Sequence, residues 1–302
     1  MKILIQGLLN LAGYQIRRVQ PSLPVDNTTG ELSFGPYKIE CDNNGILQSY
    51  KSAPCTNKFL GRLALCLSES NPELGIVDVG ANCGDTAALM RSYSKLPILC
   101  IEGDNKLHAL LNKNLVQCPD ITIIKSYLGE VTGPVSVNID KEGWNNTLVP
   151  SADSDLIVEI VRLDELKHPW LSERKIGLLK IDTEGFDVSI IHGAKRLLEE
   201  SRPIISFEYN RDNMDAISES GLRVFPYLAS LDYEGLMLYD NYGRYFMSTT
   251  VKDVELLAEL HNFIQRPKRG IYYFDIVAFP KSATLLWRKF RESEIANEGD
   301  RN

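Results

Sequence analysis

The chain has 302 residues, 44% of them hydrophobic, and a formal charge of −7. That length admits one large domain or two small ones with a substantial core. The charge is thinly spread, which disfavours a general nucleic-acid binder without excluding small RNA or nucleotide substrates. No apolar run of about 18 residues is present, so no transmembrane span is expected.

Ile3 to Arg18 opens the chain as an expected amphipathic helix that packs on the domain or touches a membrane surface. Its short apolar run is interrupted by Gln6 and Asn10, and no small-residue cleavage site follows, which argues against export. Val19 to Leu32 reads as loop, Gly35 to Glu40 as a short strand before the turn-like D-N-N-G, and Asn57 to Leu67 as a helix. Residues 1–70 together read as an N-terminal helical lid or support region.

From Gly75 an α/β rhythm sets in. Strands are expected at Ile76–Val79, Ile98–Ile101 and Ile121–Ser126, with helices at Asp85–Tyr93 and Asn105–Val116. These strands are apolar on both faces, as a parallel sheet between helices requires. Pro134–Ile139 and Leu156–Arg162 read as an extra strand pair, with G-W-N-N-T-L between them as a candidate active-site loop. Ile176–Asp182 is the next core strand. A helix is expected from Val188 to Leu198, a strand from Pro203 to Asn210, and a helix capped by Asp212 and ended by Gly221. The aromatic segments L-R-V-F-P-Y-L, G-L-M-L-Y-D-N-Y-G-R-Y-F and I-Y-Y-F-D-I-V-A-F read as strands with antiparallel pairing, Tyr272–Phe279 forming an antiparallel edge. The α/β domain is thus drawn over residues 71–285, with a frayed helix or tail over 286–302.

The segment I-V-D-V-G-A-N-C-G-D-T, Ile76 to Thr86, has the order strand, tight turn, helix, with a ligand expected over the turn. Glu102 ends the following apolar run, 24 residues past Asp78. That offset suits a carboxylate gripping a ribose diol. The glycine spacing is neither G-x-G-x-x-G nor a Walker A loop, so dinucleotide and triphosphate sites lose weight and a nicotinamide enzyme is a distant third reading. A ribose cofactor without phosphates, such as S-adenosylmethionine, fits better. Six cysteines, at positions 41, 55, 66, 83, 100 and 118, form no C-x-x-C pair. They read as reduced thiols of an intracellular, cytoplasmic protein, and a zinc cluster is not expected.

Three blocks carry a resemblance to the FkbM-type S-adenosylmethionine-dependent methyltransferases. They are V-D-V-G-A-N-C-G-D-T, I-E-G-D at Ile101–Asp104, and L-L-K-I-D-T-E-G-F-D-V-S-I-I-H-G-A at Leu178–Ala194 with P-I-I-S-F-E after it. R-L-D-E-L at Arg162–Leu166 is similar to the family's short segment ahead of the third block. The family more often has proline at the Gly103 position. The resemblance implies a class I methyltransferase fold: a Rossmann-like, doubly wound, mostly parallel sheet. It also implies methyl transfer to a hydroxyl of a small molecule or sugar, as in secondary metabolism. On that basis Asp78 orients the motif and the methionyl ammonium of the cofactor. Gly80, Ala81, Asn82 and Gly84 line it, Thr86 helps hold the carboxylate, and Glu102 with Gly103 meets the ribose. Tyr127 and Leu128 neighbour the adenine.

Lys180, Asp182, Glu184 and Glu208 are the candidate catalytic residues, with His192 a weaker candidate base. Lys180 and Asp182 share one face of an extended strand, and Asp182 or Glu184 would accept the acceptor's proton. Lys180 has the plainer reading of a structural ion pair with Asp182 or Glu208. Arg162 and Asp164 read as a structural pair or helix cap. Asp182, Glu208 and Asn210 end adjacent strands and are oxygen ligands of the kind magnesium accepts. Competing readings are an N- or C-methyltransferase, and a non-catalytic binding or scaffold protein that retains the fold. Modest charge and aromatic edge segments permit a homodimer.

Overall fold

A computed structural model describes residues 29–299 apart from 44, 143–144, 152 and 266–269. The expected helix Ile3–Arg18 and residue Trp144 lie outside the described residues. The fold is mixed α/β. Its centre is an eight-stranded sheet in the order β13-β12-β14-β11-β10-β3-β4-β5. β3 (Gly75–Val79), β4 (Ile98–Glu102), β5 (Ile121–Lys125), β10 (Ile176–Ile181) and β11 (Ile204–Tyr209) are parallel. β12 (Tyr233–Asp240), β13 (Tyr245–Thr250) and β14 (Phe274–Pro280) run antiparallel. The single antiparallel edge strand expected at Tyr272–Phe279 is therefore corrected: β14 lies inside the sheet, between β11 and β12, and β13 is the edge.

Alternation along the strands feeds two cores. Val77, Val79, Leu179 and Ile181 point into one, and Ile76 and Leu178 into the other. The first core is covered by α5 (Pro169–Glu173), α6 (Asp187–Gly193), α7 (Lys195–Ser201), α9 (Val224–Ser230) and α10 (Val254–Ile264). The second is covered by α2 (Lys58–Ser70), α3 (Asp85–Tyr93), α4 (Asn105–Leu115) and α11 (Thr284–Gly299). A short helix α8 (Arg211–Ala216) follows β11. No helix among the described residues is long and apolar enough to cross a membrane.

The described part of the N-terminal region is a hairpin, β1 (Thr29–Phe34) and β2 (Tyr37–Asp42), followed by α1 (Ile46–Ser52). Thr29 to Leu32 is strand rather than loop, because pairing with β2 supplies its backbone hydrogen bonds. The Asp42 carboxylate accepts from Gly45 N and Ile46 N, closing the D-N-N-G turn. Asn114 of α4 fastens β2 through the Glu40 backbone.

Other boundaries differ for identifiable reasons. Val224–Ser230 is a helix, not a strand. Pro226 falls in its first turn, where a missing N–H breaks no intrahelical bond, and Val224, Phe225 and Leu228 bury one face. The expected helix Val188–Leu198 is two helices broken at Ala194, where Gly193 packs against the Gly129 carbonyl. Asn210, not Asp212, caps α8, which ends at Ala216, ahead of Gly221. N-N-T-L belongs to β8 (Asn145–Pro150), which pairs with β7 (Gly133–Glu142) in a second sheet with β6 (Tyr127–Leu128) and β9 (Ile157–Val161), so it is no loop. The C-terminal segment is a packed helix rather than a frayed one: buried Glu294 pairs with Arg62 of α2, and Phe290 joins the core.

Candidate active site

A cavity of about 640 Å³ opens at the carboxyl ends of β3, β4, β10 and β11, where open α/β sheets bind ligands. At its floor lies a buried ion pair. Lys180 Nζ stands 2.9 Å from Asp78 Oδ1 and 3.8 Å from Asp182 Oδ2, and donates to the Gly80 carbonyl at 3.2 Å. Asp78 is 0% exposed and Lys180 3%. Burial pulls the lysine down, but Asp78 and Asp182 outweigh it and hold the ammonium above the ordinary lysine range. Thr86 Oγ1 donates to the other Asp78 oxygen at 2.8 Å.

Two expected roles change here. Asp78 does not line the cavity, so it fixes the motif through Thr86 and Lys180 without reaching an ammonium. Thr86 lines the cavity, but its single O–H is committed to Asp78 and is not free for a carboxylate.

The glycine turn is held by its neighbours. Gly80 N and Ala81 N donate to the Ile101 carbonyl, and Gly80 has φ +70°. A Cβ on Gly80 would lie 1.9 Å from the Asp182 carbonyl oxygen, so only glycine fits. Gly80 and Asn82 line the cavity; Ala81 and Gly84 sit behind it and shape the turn. Glu102 is 8% exposed and accepts from Asn82 N at 2.9 Å and Asp104 N at 2.8 Å. Burial pushes its carboxyl up, against these backbone bonds. Tyr127 and Leu128 complete that end. Tyr127 fills the notch beside Gly103, where a Cβ would come within 2.1 Å of the ring. Gly103 in place of the family's more frequent proline therefore makes room for a tyrosine.

The opposite end is acidic. Asp182, Glu184, Glu208 and Asp275 line it, with Tyr272 and Tyr273 from the segment leading into β14. Asn213 Nδ2 donates to Glu184 at 2.7 Å and to Glu208 at 3.4 Å. Glu184 occupies the left-handed region at φ +53°, a strain that the D-T-E-G turn imposes. Burial first, then the charges of Asp182, Glu184, Asp187 and Asp275, push Glu208 well above the usual carboxylate range.

Asp187, which sequence reasoning passed over, ties this end together. It accepts from Thr183 N, Thr183 Oγ1 and Glu208 N, and burial raises its pKa to about 6. Its signal was present in the block E-G-F-D. Asp275 was hidden among aromatic strand residues and is met only once β14 pairs with β11.

Three expectations do not converge on the cavity. His192 stacks on Tyr227, 3.9 Å between ring centroids, outside the lining, and burial with Arg223 lowers its pKa. Asp164 accepts from Arg196 N and Leu197 N at the start of α7 and sits 3.9 Å from Arg162, so it is both cap and pair. Asp182, Glu208 and Asn210 all line the cavity, but they do not make a magnesium site. The Asn210 carbonyl caps α8, Glu208 favours its protonated form, and no group of three His, Cys, Asp or Glu among the described residues could hold a metal.

A family model described as the methyltransferase FkbM domain matches residues 78–234, just over half of the chain. No curated protein matches it. Among solved structures, a methyltransferase FkbM from Methylobacillus flagellatus KT is 18% identical, with 59% of this chain and 43% of that one covered and a TM-score of 0.39. The chain thus spans less than half the length of that relative. A precorrin-6y C5,15-methyltransferase from Geobacter metallireducens GS-15 is 12% identical, with 69% and 81% covered and a TM-score of 0.36. The plantazolicin methyltransferase BamL, in complex with a triazolic desmethylPZN analog and SAH, is 8% identical, with 78% and 88% covered and a TM-score of 0.42.

Proposed function

The chain belongs to the FkbM methyltransferase family, and from that premise we propose that it transfers a methyl group from S-adenosylmethionine to a hydroxyl of a small molecule or sugar. The observation that carries the reading is one cavity with two unlike ends at the carboxyl edge of a parallel sheet. Glu102, Gly103, Tyr127 and Leu128 form one end; Asp182, Glu184 and Glu208 form the other.

The residues suit the cofactor. Glu102 is anchored by two backbone N–H groups, which leave lone pairs for a ribose diol. Tyr127 offers an aromatic face for adenine. When bound, S-adenosylmethionine supplies an electrophilic methyl group on a sulfonium. The protein's share is proximity and alignment, with Gly80, Asn82 and Lys180 holding the floor. The acceptor hydroxyl must also lose a proton. Glu208 suits that task, because burial and four neighbouring acids raise its proton affinity toward working pH. Asp182 and Glu184 flank it, and Asn213 fixes Glu184 and Glu208 together. The donor set does not fit magnesium, so the reading is metal-free.

The test is transfer of labelled methyl from S-adenosylmethionine into sugars and polyketide alcohols, before and after exhaustive chelation. The reading expects label in an ether-linked product, unchanged by chelation and lost in Glu208→Gln. Label in a nitrogen- or carbon-linked product would overturn the acceptor assignment. Binding without transfer to any hydroxylated pool would favour a non-catalytic protein.

A further inference from the structure

Asp85 is a buried acid in the cavity wall to which the mechanism above gives no task. It is the first residue of α3 and is 6% exposed. Its Oδ2 accepts from the Tyr50 hydroxyl at 2.8 Å, and its Oδ1 has the Cys83 thiol at 3.7 Å. A thiol is a weak donor, so Oδ1 keeps acceptor capacity. Lys180, a cation that acts on Asp85 through space, is already committed to Asp78 and the Gly80 carbonyl. A buried carboxylate so weakly compensated is costly unless a cation joins it. Burial accordingly pushes Asp85 above the usual carboxylate range, against the Tyr50 bond and Lys180.

The group that aims Asp85 comes from outside the family match. Tyr50 lies on α1, ahead of residue 78 where that match begins. Its hydroxyl accepts from Asn57 Nδ2 at 3.3 Å while donating to Asp85, so the chain Asn57–Tyr50–Asp85 has a fixed direction. Phe34 of the hairpin packs edge-on against the Tyr50 ring, centroids 5.3 Å apart. Gly45, Ile46, Ser49, Tyr50, Thr56 and Asn57 form this stretch of wall.

We propose that Asp85 binds the α-ammonium of the cofactor's methionine end, and that Tyr50 and Asn57 are positioning residues that aim its carboxylate. The proposal rests on the cofactor reading above and assigns the N-terminal segment a role in it: the segment completes the cofactor cavity. Asp85 takes over the contact that the sequence pattern gave to Asp78. The first-turn N–H groups of α3 remain suited to the cofactor's carboxylate, so one helix start reads both charges of the amino-acid end.

The experiment compares two probes by calorimetry: S-adenosylhomocysteine, which carries the amino-acid end, and 5′-methylthioadenosine, which lacks it. Asp85→Asn should weaken S-adenosylhomocysteine by about 10- to 100-fold, the scale of one charge-assisted hydrogen bond. Tyr50→Phe should weaken it by about 3- to 10-fold, the scale of a neutral one. Neither variant should change methylthioadenosine affinity, whereas Glu102→Ala should weaken both probes. Tyr50→Phe keeps the ring and its packing, and melting of each apo variant confirms folding. Equal losses for both probes, or no loss for either, would overturn the clasp while leaving the cofactor reading intact. Failure of the wild type to bind either probe would overturn the cofactor reading and the proposal with it.

Discussion

Replacing Lys180 by methionine keeps most of the side-chain volume and removes one ammonium from the floor of the cavity. Asp78 is then left fully buried without its cation, and the Gly80 carbonyl loses its donor. Breaking a buried pair from one side costs about 3–5 kcal/mol. Thr86 still donates to Asp78, which places the expected loss near the lower end, at about 3 kcal/mol. Urea unfolding of the apo protein at pH 7.5 reads this as a fall in the midpoint at unchanged slope. The companion variant Lys180→Met with Asp78→Asn removes the uncompensated charge, so most of the loss should return. A loss below about 1 kcal/mol in the single variant, the size of a surface pair, or simple additivity in the double variant, would refute the floor as a buried, coupled pair.

Three further outcomes follow from the geometry. Gly193→Ala would put a Cβ 2.1 Å from the Gly129 carbonyl; overpacking against backbone should cost about 1–3 kcal/mol and lower Tm by several degrees, and an unchanged Tm would count against the helix break being set by this contact. Asp187 has a folded pKa of about 6 against an ordinary 3.8. Between these values the folded state holds a proton that the unfolded state has lost, so its contribution to stability falls as pH rises, by up to roughly 3 kcal/mol. Glu208 and Asp275 are raised in the same direction, while His192 and His261, both lowered, act oppositely near pH 6. Asp275→Asn isolates the acidic contribution: it should stabilise the protein at pH 8 and not at pH 4, and a gain equal at both pH values would remove the charge argument.

The parallel half of the fold was legible because its signals are local. Apolar runs bounded by glycine and acid mark β3, β4 and β10, and both faces of each are buried. Gly80 and Gly84 announce a turn by composition alone. The site was legible as far as the strand ends carry it: Lys180, Asp182, Glu184 and Glu208 do line one cavity. Errors arose where tertiary context decides. Val224–Ser230 has strand-like composition but is a helix because one face packs on the core. β14 has no local mark of its place inside the sheet. His192 pointed toward chemistry by residue type, yet helix phase turns it onto Tyr227. Tyr50 and Asn57 carry no motif, and only the fold brings them to Asp85.

The central claim is that this cavity holds S-adenosylmethionine with Glu102 on the ribose. Calorimetric titration of the full chain with S-adenosylmethionine and S-adenosylhomocysteine, wild type beside Glu102→Ala, tests it most directly. The account predicts micromolar binding of both by the wild type, weakened by about 1–3 kcal/mol in the variant as a buried hydrogen-bonding partner is lost. A well-folded wild type that binds neither ligand, or a Glu102→Ala variant that binds both as tightly as the wild type, would contradict it.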